Sequence, residues 1–193
     1  VGYGLQVLKR FTLLPSGARN GWSDHGRGRR LRMSEDENDA PENDAAYAEL
    51  TTDKLRIEIS SEVIDFLDKH AQRTWNSREA GGQLFATIKD LNWTIIRATG
   101  PHTNDVRSRF GFLLRRHEAQ VEINLFFKEG LHYVGDWHTH PETTPKPSQQ
   151  DCRSMQNLVS KSQYELPGLL MLIVGNSGVA NDWWLSVHTL KGK

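Results

Sequence analysis

The sequence contains a single cysteine, Cys152, so an intrachain disulfide and a cysteine-rich zinc finger are both excluded. Acidic and basic side chains balance at 24 each, so the net charge gives no indication of a nucleic-acid partner. Apolar runs are also short, and none approaches the ~20 residues of a membrane span. One free thiol fits a reducing compartment, and we expect a cytoplasmic protein with one folded domain.

The charged residues are unevenly distributed along the first third of the chain. Residues 1–32 hold seven Lys/Arg and one acid, whereas residues 33–50 hold seven acids and no base. Neither segment has an apolar period with which to join a core, and the first has no apolar signal-peptide region. We therefore expect residues 1–54 to be a disordered N-terminal extension, of which residues 1–32 lie upstream of a true start at Met33.

The remaining residues, 55–193, alternate between strand and helix patterns. Apolar–polar alternation and short apolar runs predict strands, and apolar stripes at helical spacing predict helices. The predicted strands cover residues 55–59, 79–89, 92–98, 110–114, 131–137, 169–174 and 182–189, and the predicted helices cover 60–74, 117–128 and 148–161. Because the helices and strands alternate irregularly and include hairpins, we predict an α+β fold, a mixed α/β sandwich.

Two histidines separated by one residue, His138 and His140, follow a strand pattern that Pro141 ends. Side chains at i and i+2 lie on the same face of a strand, so both imidazoles can reach one ion. Ser148 is placed to cap the next helix, with Asp151 in its first turn. Two imidazoles and one carboxylate are three metal ligands, which leaves a fourth position for water as in catalytic zinc sites.

Each part of this pattern also has an ordinary interpretation. An isolated H-x-H is usually a surface or core feature, and S-x-x-D is more often only a capping box. Two histidines and a carboxylate also ligate iron in non-haem oxygenases, whose usual motif, however, is H-x-D/E with a distant histidine. The combination of H-x-H-P with the spaced S-x-x-D favours a metal site on a strand, loop and helix.

The pattern H-x-H-x7-S-x-x-D resembles the JAMM motif of the MPN/JAB-domain metalloproteases. The segment from Glu79 to Gly82, with the sequence E-A-G-G, resembles the glutamate segment found upstream in that family. The resemblance covers residues 55–190 and implies an MPN fold, a curved mixed sheet flanked by helices, as the metalloprotease domain of residues 55–193. It further implies one zinc ion per chain, with the two histidines and Asp151 as its ligands.

Four further residues are considered for a role in the chemistry. Glu79 is our candidate general base and acid, although a lone strand glutamate would usually be a surface residue. Ser148 has a hydroxyl that could stabilise an oxyanion, or it could act only as a helix cap. Cys152 invites a cysteine-nucleophile interpretation, but beside a metal ligand on a helix it is more often a packed small side chain. Asp136 is either solvated or a partner for a histidine N–H.

The resemblance also implies a protein substrate, cleaved at a peptide or isopeptide bond after an extended C-terminal tail. The segment G-D-W-H-T-H-P-E is most similar to prokaryotic JAB peptidases, and among them to the deconjugating peptidases of bacterial anti-phage (CBASS-type) operons. Those enzymes release a cGAS-like nucleotidyltransferase from its targets. The loop over residues 142–147 is too short for the insertions by which eukaryotic members grip ubiquitin. An extended tail could pair with a strand edge near Gly81 and Gly82.

Two other functions remain open for a chain with this resemblance. One is a JAMM peptidase that trims a ubiquitin-like sulfur-carrier protein. The other is a non-catalytic MPN scaffold, a class that lacks the ligand set. Neither nucleic acid nor a membrane is an expected partner, and the sequence does not indicate an oligomeric state.

Overall fold

The computed structural model describes residues 3–8, 12–14, 47–51, 55–109 and 111–190 as eleven strands and three α-helices. The strands are β1 (Tyr3–Leu8), β2 (Thr12–Leu14), β3 (Tyr47–Thr51), β4 (Arg56–Ser60), β5 (Gly81–Lys89), β6 (Asn92–Ala98), β7 (Val106–Ser108), β8 (Gly111–Leu113), β9 (His132–Thr139), β10 (Leu169–Val174) and β11 (Trp184–Leu190). The helices are α1 (Ser61–Lys69), α2 (Arg116–Lys128) and α3 (Gln149–Lys161). No helix among these residues is both long and apolar enough to cross a membrane.

Nine of the strands form one mixed sheet in the order β1-β11-β10-β9-β5-β6-β4-β3-β2. The pairs β9/β10 and β4/β6 are parallel, and the other neighbours are antiparallel. β7 and β8 form a separate hairpin. This mixed sheet with flanking helices confirms the predicted α+β fold class.

The central strand β10 is buried on both faces, which divides the interior into two parts. Leu170, Leu172 and Val174 belong to the larger core, which includes residues of α1. Leu169, Met171 and Ile173 alternate with them and pack against Met155 and Val159 of α3. The continuous apolar run that predicts this strand is thus explained by helices covering both sides of it.

A β-bulge interrupts β9 where it passes β5. Leu84 pairs with Gly135 and Phe85 pairs with Tyr133, so one extra residue lies between the two pairs on β9. Because of this residue, Tyr133 and Asp136 lie on the same face although three positions separate them, and the Tyr133 hydroxyl donates to Asp136 Oδ1 at 2.7 Å. The bulge therefore sets which β9 side chains face α3.

Two element predictions are wrong. Helix α1 ends at Lys69 and not near residue 74, because the chain turns after His70 to bury the side chain of Gln72, which is only 2% exposed. The sequence pattern assigns no strand to residues 100–107 and indicates a polar loop there. The structure instead places part of β7 in this region, and its pairing with β8 is not visible in the pattern of side chains.

Three strands lie within residues 1–54, which we expected to be disordered. β1 pairs with β11 at one edge of the sheet, and β3 pairs with β4 and β2 near the other edge. The expectation is wrong for these segments, because backbone hydrogen bonding to a sheet edge requires no apolar period. The other residues of 1–54, including Met33, lie outside the described residues, and the domain boundary at Leu55 stays a prediction.

The bulge leads to a stability prediction for Gly135. A Cβ there would lie 2.1 Å from the carbonyl oxygen of Leu170, and the residue has φ +150. Gly130 is a matched control because it has φ +82, but a Cβ added to it would meet no atom within 4 Å. In urea unfolding, Gly130→Ala should lower the free energy of unfolding by about 1 kcal/mol from backbone strain. Gly135→Ala should lower the free energy of unfolding by at least ~2 kcal/mol more than Gly130→Ala does, because the steric overlap adds to the strain. An equal decrease in the two variants would contradict the steric overlap at Gly135.

Candidate metal centre

His138 and His140 come together at the end of β9. Trp137 and Thr139 alternate with them, point to the opposite face and are buried. The two imidazole rings lie edge to face with centroids 4.9 Å apart. The backbone N–H of His140 donates to the carbonyl of Val174 at 3.0 Å, which ties the end of β9 to β10. The strand periodicity used to predict a shared site is therefore observed.

Asp151 reaches the same point from the first turn of α3. Ser148 caps this helix, since its Oγ accepts from the Asp151 N–H at 3.2 Å and its N–H donates to Asp151 Oδ2 at 2.6 Å. The predicted N-cap is thus confirmed as a reciprocal capping box. The bond from the Ser148 N–H fixes the carboxylate so that it faces the two histidines.

The spacing of the three side chains fits a metal ion. His138 Nε2 is 3.6 Å from Asp151 Oδ1, and His140 Nε2 is 3.4 Å from Asp151 Oδ2. Ligands at zinc–nitrogen and zinc–oxygen distances around a tetrahedral ion are about 3.4 Å from each other. The two distances use different oxygens of Asp151, and the group whose single donor atoms all lie within 4.8 Å of one another is Glu79 with the two histidines, so Asp151 as third ligand stays a prediction. In addition, His138 Nε2 is buried without a hydrogen-bond partner among the described residues, which is costly unless a ligand takes its lone pair.

Charge at this centre favours a cation. Burial alone would raise the pKa of the Asp151 carboxyl, but the adjacent imidazoles of His138 and His140 and the contact with Ser148 hold that pKa far below its ordinary value. Asp151 is therefore ionised at neutral pH. An ionised carboxylate beside two imidazoles offers the oxygen and nitrogen donors that zinc accepts.

Glu79 lies beside the three side chains but farther from the imidazoles. One of its oxygens and a nitrogen of each histidine lie within 4.8 Å of one another, yet no Glu79 oxygen is within 4.0 Å of either imidazole. Such a separation leaves room for a water molecule between the carboxylate and an ion. Glu79 is only 7% exposed, and burial, opposed by nearby His140, raises its pKa to about 7. A bound cation would lower this pKa again.

The backbone of Glu79 is held by the β7–β8 hairpin. The Glu79 N–H donates to the carbonyl of Ser108 at 2.7 Å, and Arg107 Nε donates to the Glu79 carbonyl at 2.7 Å. The next N–H, of Ala80, donates to Thr139 Oγ1 at 3.0 Å, which joins the start of β5 to the end of β9. Sequence reasoning missed Arg107 and Thr139, because neither belongs to the motif and both act through long-range contacts.

A third missed residue, Asn176, supports the loop after His140. Asn176 Nδ2 donates to the carbonyl of Pro141 at 2.6 Å, and the Asn176 N–H donates to the carbonyl of Glu142 at 3.0 Å. The sequence N-S-G indicates only a turn at this point. The carboxylate oxygen Oε2 of Glu142 lies 3.3 Å from His140 Nδ1. The other ring nitrogen of His140, Nε2, is therefore directed at Asp151.

The glycine pair Gly81–Gly82 serves contacts within the chain. A Cβ on Gly82 would lie 1.8 Å from the carbonyl oxygen of Thr99, and one on Gly81 would overlap the ring of Phe112. The absence of a side chain on Gly82 thus permits the close approach of the Thr99 backbone. The glycines pair with β9 on one side, whereas β6 pairs with β5 only from Leu84 onward. On that second side the segment of Thr99 and Gly100 lies against them and covers them.

A groove of about 910 Å³ leads away from the centre between α2 and α3. Glu79, the two histidines, Ser148 and Asp151 line one end of it. Its floor continues along the same face of β9 to Asp136 and Tyr133. Burial raises the pKa of Asp136 to about 6. Of the described residues, Tyr133 is the hydrogen-bond partner of Asp136, so the second of its two alternatives, a bond to a histidine N–H, is not observed.

The remaining candidate side chains lie elsewhere. Cys152 is partly exposed but does not line the groove, so it has no access to a substrate there. His102 contacts Glu122, and His188 is buried beside Ser186. Burial lowers the pKa of His188 to about 4, which keeps it neutral. None of these three side chains lines the groove at the metal centre.

Comparison with known proteins identifies relatives over most of the chain. Residues 60–186 match a family model described as prokaryotic homologs of the JAB domain. The chain is 32% identical over 127 residues to a CD-NTase/cGAS isopeptidase of Escherichia coli, covering 64% of this chain and 78% of that protein. It is 31% identical to a protein of the same name from Vibrio cholerae, over 67% of this chain and 80% of the relative. It is 28% identical to a probable metalloprotease, y4qB, of Sinorhizobium fredii, over 66% and 79% respectively.

The geometry predicts metal stoichiometry. Zinc-loaded protein, dialysed and measured by mass spectrometry, should hold about one zinc per chain, because three converging ligands leave one position for water. His138→Ala and Asp151→Ala should each lose the ion. The exposed His117 provides a control, and His117→Ala should retain it. Retention of zinc by either ligand variant would contradict the ligand set.

The raised pKa of Glu79 predicts a pH-dependent stability in metal-free protein. In the unfolded chain this carboxyl loses its proton near pH 4.5, but in the folded chain only near pH 7. Protonated Glu79 thus contributes fully to the stability of the folded chain below pH 4.5, and this contribution is lost as the pH rises through 7. Relative to Glu79→Gln, the wild-type free energy of unfolding in the presence of a chelator should fall between pH 4 and pH 8. If the difference in free energy of unfolding between wild type and Glu79→Gln does not change with pH, the raised pKa of Glu79 is refuted.

Proposed function

The chain belongs to the family of prokaryotic homologues of the JAB domain, and on this basis we propose that it is a zinc-dependent isopeptidase. Its substrate is a cGAS-like nucleotidyltransferase joined through its C-terminal tail to a lysine of another protein. The isopeptidase and metalloprotease names of its relatives support peptidase activity. The observation that carries the proposal is Glu79 beside His138, His140 and Asp151 at the end of an open groove.

The two histidines and Asp151 hold the ion. Zinc bound there would activate a water molecule and polarise the scissile carbonyl. The capping box keeps the Asp151 carboxylate oriented, and the contact between Glu142 and His140 Nδ1 fixes the orientation of that ring. These contacts organise the ligands before substrate binds, so little reorganisation is required during the reaction.

Glu79 transfers the proton. Its carboxylate takes a proton from the attacking water as the new carbon–oxygen bond forms. It then gives the proton to the lysine ε-nitrogen as the carbon–nitrogen bond breaks, which releases a free tail carboxylate and a free amine. Its burial and a pKa near neutrality suit a group that must act as base and acid in one cycle.

Ser148 acts on the carbonyl oxygen. Its Oγ accepts a hydrogen bond from the Asp151 N–H, so the hydroxyl proton remains available for donation into the groove. A donor aimed at the oxygen that gains negative charge stabilises the tetrahedral intermediate. The same side chain caps α3, so the two roles considered from sequence are compatible.

The substrate class follows from the relatives. The chain spans 78% of the Escherichia coli isopeptidase and 80% of the Vibrio cholerae protein, so the similarity includes most of each relative. The loop over residues 142–147 stays short and is held by Asn176, so it offers no extended insertion for gripping a folded ubiquitin. A tail that enters the groove in extended form is a better match for this surface.

The proposal is tested with Glu79→Gln, which keeps the shape of the side chain and removes its basic carboxylate. The substrate is a cGAS-like nucleotidyltransferase whose C-terminal carboxyl is joined to the ε-amine of a lysine-containing peptide. Cleavage by the variant should fall at least ~10²-fold, the low end for positioned acid–base catalysis. Zinc content should stay at the wild-type value, and the conjugate should remain bound.

Cys152→Ser provides the matched control. Its side chain does not line the groove, so this variant should cleave at nearly the wild-type rate. If Glu79→Gln cleaves the conjugate at the wild-type rate while Cys152→Ser is inactive, the metallopeptidase mechanism is wrong. Cleavage of a tail-extended ubiquitin-like sulfur carrier, with no cleavage of the nucleotidyltransferase conjugate, would support the alternative substrate instead.

A further inference from the structure

Asp136 is a charged side chain on the floor of the groove that the proposed chemistry does not use. It precedes His138 by two positions on the same face of β9, a separation of about 6.6 Å along a strand. An extended peptide that lies along this face advances by the same distance over two residues. A substrate bound at the metal centre therefore places a side chain close to Asp136.

The carboxylate of Asp136 is only half satisfied. The hydroxyl of Tyr133 donates to Oδ1, and no described residue donates to Oδ2 or forms an ion pair with either oxygen. Gln83 lies opposite Asp136 on β5. With its amide oxygen and nitrogen exchanged, the Gln83 nitrogen donates to the carbonyl of Ala119 at 3.1 Å and to Glu122 at 3.2 Å.

The walls above Asp136 are apolar. Met155 and Leu158 of α3 line one side of the groove, and Ala119 and Ile123 of α2 line the other. A lysine or arginine side chain can bury its methylene groups against such walls and carry its charge to the floor. Conversely, an acidic or short polar side chain would give the second oxygen of the carboxylate, Oδ2, no donor, which is unfavourable.

We propose that Asp136 determines substrate specificity by binding a lysine or arginine side chain of the substrate tail close to the scissile bond. This inference rests on the proposed isopeptidase function, since it assigns a role to the groove of the same site. The occupant is a single basic side chain, whose cationic group completes the hydrogen bonding of the carboxylate and whose stem fills the space between α2 and α3.

The test uses zinc-loaded full-length protein and internally quenched peptides. Each peptide carries lysine, arginine, glutamine, norleucine or glutamate at one position, scanned over three positions on each side of the cleaved bond. At one position, kcat/KM of the wild type should be at least ~10-fold higher for lysine or arginine than for norleucine, which has a similar stem without charge. Asp136→Asn should reduce this ratio to below ~3-fold.

Tyr133→Phe separates charge recognition from a structural role. It removes the hydroxyl that contacts Asp136 but keeps the carboxylate. The preference for basic side chains should persist in Tyr133→Phe. If Tyr133→Phe loses this preference as completely as Asp136→Asn does, the proposal is overturned. The proposal also fails if no scanned position shows a basic preference, or if Asp136→Asn retains the wild-type ratio.

A binding measurement distinguishes this inference from the proposed activity. Fluorescence anisotropy with labelled peptides in the Glu79→Gln background reports affinity without turnover. If the wild type cleaves no substrate but a basic preference in Kd exists and Asp136→Asn abolishes it, the isopeptidase function is wrong and the role of Asp136 stands. If the wild type cleaves the substrates without a preference for basic side chains, and the Kd values show no such preference either, the isopeptidase function stands and the role of Asp136 is wrong.

Discussion

The capping box at the start of α3 is the contact on which the candidate site depends. Ser148 and Asp151 exchange side-chain and backbone hydrogen bonds, and in doing so they begin the helix and fix the direction of a carboxylate. That carboxylate lies 3.4 Å and 3.6 Å from the two histidine nitrogens. Because α3 is held against β10 by Met155 and Val159, the position of the helix and the geometry of the ligands are set together.

A second constraint is the parallel pairing of β9 with β10. It places His138 beside Ile173 in the middle of the sheet, where both neighbouring strands restrict the backbone. The bulge near Gly135 then sends Tyr133 and Asp136 to the face that carries the histidines. One strand thereby supplies both the candidate metal ligands and the floor of the groove, so binding and chemistry would share a rigid support.

Glu79 depends on contacts from outside the sheet. It lies just before β5, and its peptide groups are held by Ser108 and Arg107 of the β7–β8 hairpin. The carboxylate is thus held next to the histidines, although its own segment is irregular. Its burial and its raised pKa follow from this position, and a general base requires both a fixed geometry and a pKa near neutrality.

The sequence by itself determined the features that depend on local chemistry. The alternation along β9, the cap at Ser148 and the apolar run of β10 each follow from neighbouring residues, so the strand, the helix and the spacing of the candidate ligands could be predicted. Only the tertiary structure decided the early end of α1, the β7–β8 hairpin and the pairing of Tyr133 with Asp136. These features depend on long-range hydrogen bonds and on one extra residue in a strand, neither of which leaves a periodic pattern in the sequence.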